Sequence, residues 1–466
     1  MRFPHPLNLM VGCILIAAAL SYLLAAGHFD RRDDPATGRR VVVAGTYHRV
    51  EPAPVRPFDA VVAIPKGMAD AGAVIFYVFL VGGAFAVVER TGASTRLVQG
   101  LVARLQGNET LVIPITCLAF GLGGGLIQMQ EELIAFVPML LLLTRRLGFN
   151  PTVACAVSIG AAAVAAAFSP VNPFQVVIAQ KVAELQPHSG LWFRMAFLLP
   201  AMAIWIWGTM RYAKKTAVRA GGAETAGTSE SQSEAPVQLS APVPSASPAS
   251  AGSPVRDGAI LLVVLVTFAL FVIGAQSWGW EFEQFSALFF LMGVAAGLIG
   301  GLRLAGTADA FVEGFRSLAY AALLIGFARA IYVVLDQGQI VDTIVQGIFT
   351  PIARLPVVLS ALGMMVLQAL VHVPVPSTSG QAVLTMPVLV PLSDLLGLAR
   401  QVTVLAYQYG AGLCELLTPT NGALMAMLAA TGVRFEEWLR FVLRLLVPIV
   451  GLAVLGLVAA IITGLR

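Results

Sequence analysis

Apolar residues along this chain come in long runs separated by short polar clusters, and the length of each run limits what it can form. A helix needs about 20 apolar residues to cross roughly 30 Å of hydrocarbon. Runs at 7–26, 72–89, 191–210, 258–275, 285–301, 316–334 and 438–463 approach or meet that length and predict membrane-spanning helices. The first follows Met1 and Arg2 and ends in Ala25, Ala26 and Gly27, as a cleaved signal peptide could. Its length and the spans behind it favour an uncleaved helix. Residues 28–66 are polar and proline-bearing, and predict an extracytoplasmic loop.

The remaining apolar stretches are interrupted. Residues 111–144 are broken by Gly121, Gly123, Gly124 and Gly125 and by Gln128, Met129, Gln130, Glu131 and Glu132. Each arm is about 20 Å as a helix, too short to cross, so a re-entrant hairpin with its tip at 126–132 is predicted. A second hairpin is predicted over 355–394. Residues 148–184 are interrupted by Ser169, Pro170, Val171, Asn172 and Pro173, and 398–431 by Thr418, Pro419, Thr420 and Asn421. Proline has no N–H to donate and clashes with the preceding turn, so both stretches read as unwound helices. Residues 216–256 are rich in Ala, Ser, Pro and Glu and cannot bury a core.

The two halves resemble each other. Pro138, Gly148, Pro170 and Asn172 each precede Pro387, Gly397, Pro419 and Asn421 by 249 residues, and Ser169 likewise pairs with Thr418. With the N-terminus inside, span 72–89 runs inward and leaves Arg90, Arg96, Arg104, Arg145 and Arg146 in the cytoplasm, as the positive-inside rule expects. Its counterpart 316–334 runs outward, so the repeats are inverted. The expected organisation is a first helix and extracytoplasmic loop (1–66), repeat one (67–212), a disordered cytoplasmic linker (213–256), linking helices (257–313) and repeat two (314–466). The fold class is an all-α polytopic membrane protein with two inverted repeats, each holding a re-entrant hairpin and a broken transmembrane helix. That architecture belongs to secondary transporters with a midplane site.

Composition agrees. Only 12% of the 466 residues are charged, 58% are hydrophobic, and the mean hydropathy is +0.84. Soluble domains are about one quarter charged, which excludes a soluble enzyme and a nucleic-acid binder. The net charge of +4 needs no anionic partner. Cys13, Cys117, Cys155 and Cys414 lie far apart in apolar runs and imply neither a disulfide nor a metal site.

Unwound backbone persists in lipid only where it is buried or lines a watery cavity. Four such points are predicted, at 121–132, 169–173, 374–381 and 418–422. Each opens a helix whose N-terminal N–H groups favour an anion, and freed carbonyls there suit Na+. Candidate substrate-binding residues are Glu131, Glu132, Ser169, Asn172, Ser377, Thr378, Ser379, Thr418, Thr420 and Asn421, with a Na+ site open near Ser169, Asn172, Thr418 and Asn421. Intramembrane carboxylates such as Glu131 and Glu132 point to function: they could carry a proton, bind a cation or face an amine. Arg329 is equally compatible with a structural ion pair and a substrate contact. His372 reads more as a hydrogen-bonded interior histidine than a proton site. Glu415 is balanced between site and helix cap, Tyr407 and Gln408 could line the site, and Asp394 and Arg400 read as structural. The glycine run lacks the ending of a phosphate loop.

Residues 373–429, from VPVPSTSGQAVLTMPVLVPLSDLLGLARQVTVLAYQYGAGL to LLTPTNGALMAMLA, carry a more specific signal. They resemble the YfcC family, within the DcuC-type group of C4-dicarboxylate and amino-acid carriers. QMQEELIAFVPML, SPVNPFQVVIAQ and ARAIYVVLDQGQIVDTIVQG extend the likeness over most of the chain outside 28–66 and 216–256. The resemblance implies a secondary carrier of the ion-transporter superfamily with elevator-type movement. Its site would fall on Ser169, Asn172, Thr418, Thr420, Asn421 and Ser377, Thr378 and Ser379. It also implies an Asp where this chain has Ala411, with Glu415 as the candidate replacement.

The expected function is secondary active transport of a carboxylate-bearing metabolite (a C4-dicarboxylate, organic acid or amino acid) across the bacterial cytoplasmic membrane. Coupling would be to Na+ or H+, with no cofactor. The alternative is an arginine/ornithine-type basic amino-acid antiporter. A channel or an intramembrane enzyme is less well supported. Expected partners are a small-molecule substrate, the lipid bilayer and a second copy in a homodimer, with no nucleic acid.

Overall fold

The computed structural model describes residues 6–35, 39–43, 45–104, 109–221, 253–349 and 355–465. Most of the linker expected at 213–256 therefore lies outside the described residues. Helix α1 (Pro6–Leu23) leads into two small antiparallel strand pairs, β1 (Gly27–His28) with β4 (His48–Arg49) and β2 (Arg31–Asp34) with β3 (Arg39–Val42). Within the expected loop, residues from Pro57 onward are helical: α2 (Pro57–Asp70) runs almost directly into α3 (Gly72–Arg90). Pro57 presets the first helical turn. Gly67 lets α2 lie close on a later helix, because a Cβ there would sit 2.5 Å from the Ala330 nitrogen.

After α4 (Ala93–Arg104) comes a helical hairpin: α5 (Val112–Ile127), a turn at 128–131, a 3-10 turn (Glu132–Phe136) and α6 (Val137–Arg146). The next helix is built from α7 (Pro151–Cys155), a π turn and α8 (Ala161–Ala167), and it breaks before a second π turn (Pro173–Val177) and α9 (Ile178–Val182). Helices α10 (Leu191–Gly221), α11 (Pro254–Ile273), α12 (Phe282–Ile299) and α13 (Arg303–Gln337) follow. Then the earlier order recurs: short α14 (Val341–Phe349), hairpin α15 (Val357–His372) and α16 (Thr378–Leu395), broken helix α17 (Arg400–Cys414) and α18 (Gly422–Thr431), and long α19 (Phe435–Ile462).

Among the described residues, six helices are long and apolar enough to cross a membrane: α3, α10, α11, α12, α13 and α19. The first apolar helix falls in a shorter class, at Leu7–Leu23. The glycines at 121–125 correct the expected unwinding at 121–132, because α5 is continuous to Ile127 and only the turn at 128–131 is open. They serve close packing instead. A Cβ at Gly124 would overlap the backbone of Ala162 on α8. In the second half Gly410 on α17 lies against the Met365 carbonyl of α15 in the same way.

Candidate functional site

The first break is locked by its own polar side chains. Pro170 and Pro173 cannot donate, so the free carbonyls and the next helix start need other partners. Ser169 Oγ accepts the N–H groups of Val171 and Asn172 at 3.1 and 3.0 Å and donates to the Gly125 carbonyl at 2.6 Å. Asn172 Oδ1 accepts two N–H groups, from Phe174 and Gln175, both at 3.0 Å. Its Nδ2 donates to the Gly124 carbonyl at 3.0 Å and to Gln128 Oε1 at 2.9 Å. Asn172 thus uses its full hydrogen-bonding capacity and pins the break to the end of α5.

The second break follows the same plan with different atoms. Thr420 Oγ1 donates to the Val373 carbonyl at 2.6 Å and lies 2.7 Å from Thr418 Oγ1. Gly124 and Val373 are 249 residues apart, the same offset as Asn172 and Asn421. Each break therefore grips the equivalent carbonyl of its own hairpin. Asn421 Oδ1 caps Leu424 at 3.1 Å, while its Nδ2 donates to Gln130 Oε1 and to the Glu415 carbonyl, both at 3.3 Å.

Between the breaks sits Glu415, 7% exposed. Gln128 Nε2 donates to its two carboxylate oxygens at 3.1 and 3.2 Å, and Gln130 Nε2 makes a short bond to Oε2. Gln128 has φ +57°, a left-handed conformation uncommon for a residue with a Cβ, which ends α5 and turns the chain at the tip. A continuous chain, Asn172–Gln128–Glu415–Gln130–Asn421, so joins the two breaks across hairpin one. Glu131 is half-buried and is the other acidic group acting on Glu415. Glu132 is buried and turned toward Tyr77 on α3.

The second hairpin tip is held by its own cap and by α17. Ser377 caps Gly380 at 3.3 Å, and the Thr378 carbonyl accepts the Tyr407 hydroxyl at 2.6 Å. Ser379 is half-buried at the same tip. His372 lies within hairpin two, its Nδ1 2.8 Å from Gln381 Oε1, and Gln381 Nε2 donates to the Gln368 carbonyl at 2.8 Å.

Sequence reasoning missed three participants. Gln128 and Gln130 were visible as polar residues in the first tip, but the neighbouring carboxylates drew the attention. Arg194 was hidden at the start of a span, where an interfacial arginine is ordinary. It is wholly buried and held by neutral oxygens: Gln408 Oε1 and Gln401 Oε1 at 3.0 Å, and the Ser189 carbonyl at 2.8 Å. Gln408 Nε2 in turn donates to the Ser169 carbonyl at 2.7 Å. Ser169 and Asn172 thus have their side-chain oxygens, and Ser169 its carbonyl, engaged by protein donors in this conformation. Among the described residues no group of three metal-ligating side chains is present. Arg329 pairs with Asp70, and Arg400 pairs with Asp394 at 2.8 Å and Glu184 at 2.9 Å.

A family whose description is "C4-dicarboxylate anaerobic carrier", DcuC, matches residues 3–462 of the chain. The chain belongs to the DcuC family. It is 32% identical over 398 residues to "Putative basic amino acid antiporter YfcC" of Escherichia coli (strain K12), covering 82% of this chain and 76% of that protein. An uncharacterised protein of Haemophilus influenzae is 30% identical over 406 residues, covering 87% and 79%. The structure is also similar to the Alcanivorax borkumensis YdaH transporter, with a TM-score of 0.44 and 16% identity, covering 98% of each chain. As a DcuC-family member the chain is a transporter rather than an enzyme, multi-pass in the bacterial cytoplasmic membrane. The position where the resemblance implied an Asp, Ala411, is buried one helical turn before Glu415, whose N–H donates to the Ala411 carbonyl at 3.3 Å.

Proposed function

We propose that this DcuC-family chain is a secondary transporter of an amino acid, a carboxylate-bearing metabolite whose cationic group is taken by Glu415. The observation that carries the reading is the placement of one buried carboxylate between two helix breaks, held among the described residues by neutral amide donors. A buried anion is stabilised far better by a cation than by neutral donors. A substrate ammonium or guanidinium can replace Gln128 and Gln130 at Glu415. The two released amides then face the substrate's own carboxylate. A dicarboxylate in the same place would meet Glu131 and Glu415 with like charge. The name of the Escherichia coli relative points the same way.

The paired hairpins and breaks support an inverted repeat with re-entrant hairpins. In that reading they form one unit that moves against α3, α12 and α13 in an elevator-type cycle. The second reading is the C4-dicarboxylate of the family description. Arg194 favours it, as a buried guanidinium with only neutral acceptors, one glutamine removed from Ser169.

Counterflow in proteoliposomes separates the two. Vesicles loaded with unlabelled arginine, ornithine or succinate are exposed to the same labelled compound. The proposal expects exchange of arginine or ornithine and none of succinate. Exchange of succinate alone would overturn it and move the substrate to Arg194.

A further inference from the structure

Glu132 and Tyr77 form a second buried polar site that the Glu415 network does not use. Glu132 is 5% exposed and Tyr77 fully buried. Their side chains face each other, and among the described residues neither Glu132 Oε2 nor the Tyr77 hydroxyl has a hydrogen-bond partner. Buried polar atoms without partners are uncommon and costly. The surroundings are apolar: Tyr77 packs among the rings of Phe282, Phe285 and Phe289 with centroids 5.6, 6.4 and 6.0 Å away. Phe136, on the same turn as Glu132, packs on Phe85 of α3 at 4.3 Å.

The chemistry of this pair is complementary in two states. A protonated carboxyl can donate its O–H to the tyrosine oxygen, and an ionised one can accept the tyrosine O–H. In either state the pair has one donor and one acceptor to offer each other, so a small approach of the two side chains would satisfy both whether the proton has arrived or left. Glu131 is the other titratable group acting on Glu132. From α13 the turn meets Leu318, Ala321, Ala322 and Ile325, and α18 carries no titratable residue. The acid belongs to hairpin one and the tyrosine to α3, so relative movement of the two would open the pair to water.

We propose that Glu132, with Tyr77 as its hydroxyl partner, takes up and releases a coupling proton, separately from the Glu415 site. This rests on the chain being a proton-coupled secondary transporter and not on which substrate it moves. The proton comes from water on one side of the membrane, rides as the carboxyl O–H, and returns to water on the other side; no other bond changes.

Two measurements test it. Infrared spectra of the purified protein in lipid should contain the carbonyl band of a protonated carboxylic acid. That band should be lost in Glu132→Gln and displaced in Tyr77→Phe, which removes the hydroxyl. Its presence unchanged in Glu132→Gln, or its absence from the unsubstituted protein, overturns the proposal without touching the substrate reading. In proteoliposomes, arginine accumulation driven by a pH gradient should fall at least tenfold in Glu132→Gln, while arginine counterflow continues. Equal loss of both would place Glu132 in the substrate site and overturn it. Absence of arginine counterflow from the unsubstituted protein would instead overturn the substrate reading, leaving the infrared band to decide the proton site.

Discussion

Gln128 donates its side-chain amide to both oxygens of Glu415, at 3.1 and 3.2 Å, although the two residues are 287 positions apart in the chain. That contact joins the first hairpin to the second broken helix, and through Asn172 and Asn421 it ties both helix breaks into one polar chain.

If both glutamines hold the same carboxylate, their removal is coupled. Gln128→Ala and Gln130→Ala should each destabilise the protein by about 1–3 kcal/mol, the range for leaving a buried acceptor short of a donor. Because they share Glu415, the double variant should depart from the sum of the singles by more than about 0.5 kcal/mol. Thermal midpoints of the four proteins in detergent test this. Strict additivity would mean the two contacts are independent.

Asn172→Ala removes a helix cap, takes one of its two donors from the Gly124 carbonyl and removes the amide that donates to Gln128 Oε1. Loss of a cap alone costs about 1 kcal/mol, so a larger fall in thermal midpoint is expected than for Ser377→Ala, whose single cap bond is 3.3 Å long. Equal falls would contradict the role assigned to Asn172.

Packing makes a sharper contrast between neighbouring glycines. Gly124→Ala would drive a methyl group into the Ala162 backbone, whereas a Cβ at Gly125 would meet its nearest neighbour, Ala165 Cβ, at an ordinary 3.7 Å. Overpacking of that kind costs about 1–3 kcal/mol. Fluorescence-detected gel filtration after a heating series should therefore rank Gly125→Ala near the unsubstituted protein and Gly124→Ala well below it.

Arg194→Lys keeps the charge and loses the planar fork that reaches Gln401, Gln408 and the Ser189 carbonyl together. The variant should have a lower thermal midpoint, because Gln408 is then less well held on the Ser169 carbonyl. An unchanged midpoint would show that the fork is dispensable.

Much of this architecture was legible in the sequence because proline and polar clusters inside apolar runs are hard to place in any other way. Pro170 and Pro173, and Pro419 with Thr418 and Thr420, locate both breaks. The spans at 72–89 and 438–463 match α3 and α19 to within a few residues. Helix α2 was not legible, because its prolines at 57 and 65 and its charged residues resemble a loop until α13 supplies a surface for it. The glycines of α5 were misread for a similar reason: a glycine that unwinds a helix and one that lets two helices touch look the same until the partner, Ala162, is known. The site was legible at its ends and not its centre. Asn172 and Asn421 follow from the break motif, but Glu415 gains its place only when the fold brings Gln128 and Gln130 against it.

The most direct test of the central claim is equilibrium binding of labelled arginine to the purified protein and to Glu415→Gln. A lost charge-assisted contact is worth about 1.5–3 kcal/mol, so affinity should fall at least tenfold in the variant while its thermal midpoint and gel-filtration profile stay close to the unsubstituted protein. Arginine bound equally well by both proteins would contradict the account and remove Glu415 from the substrate site.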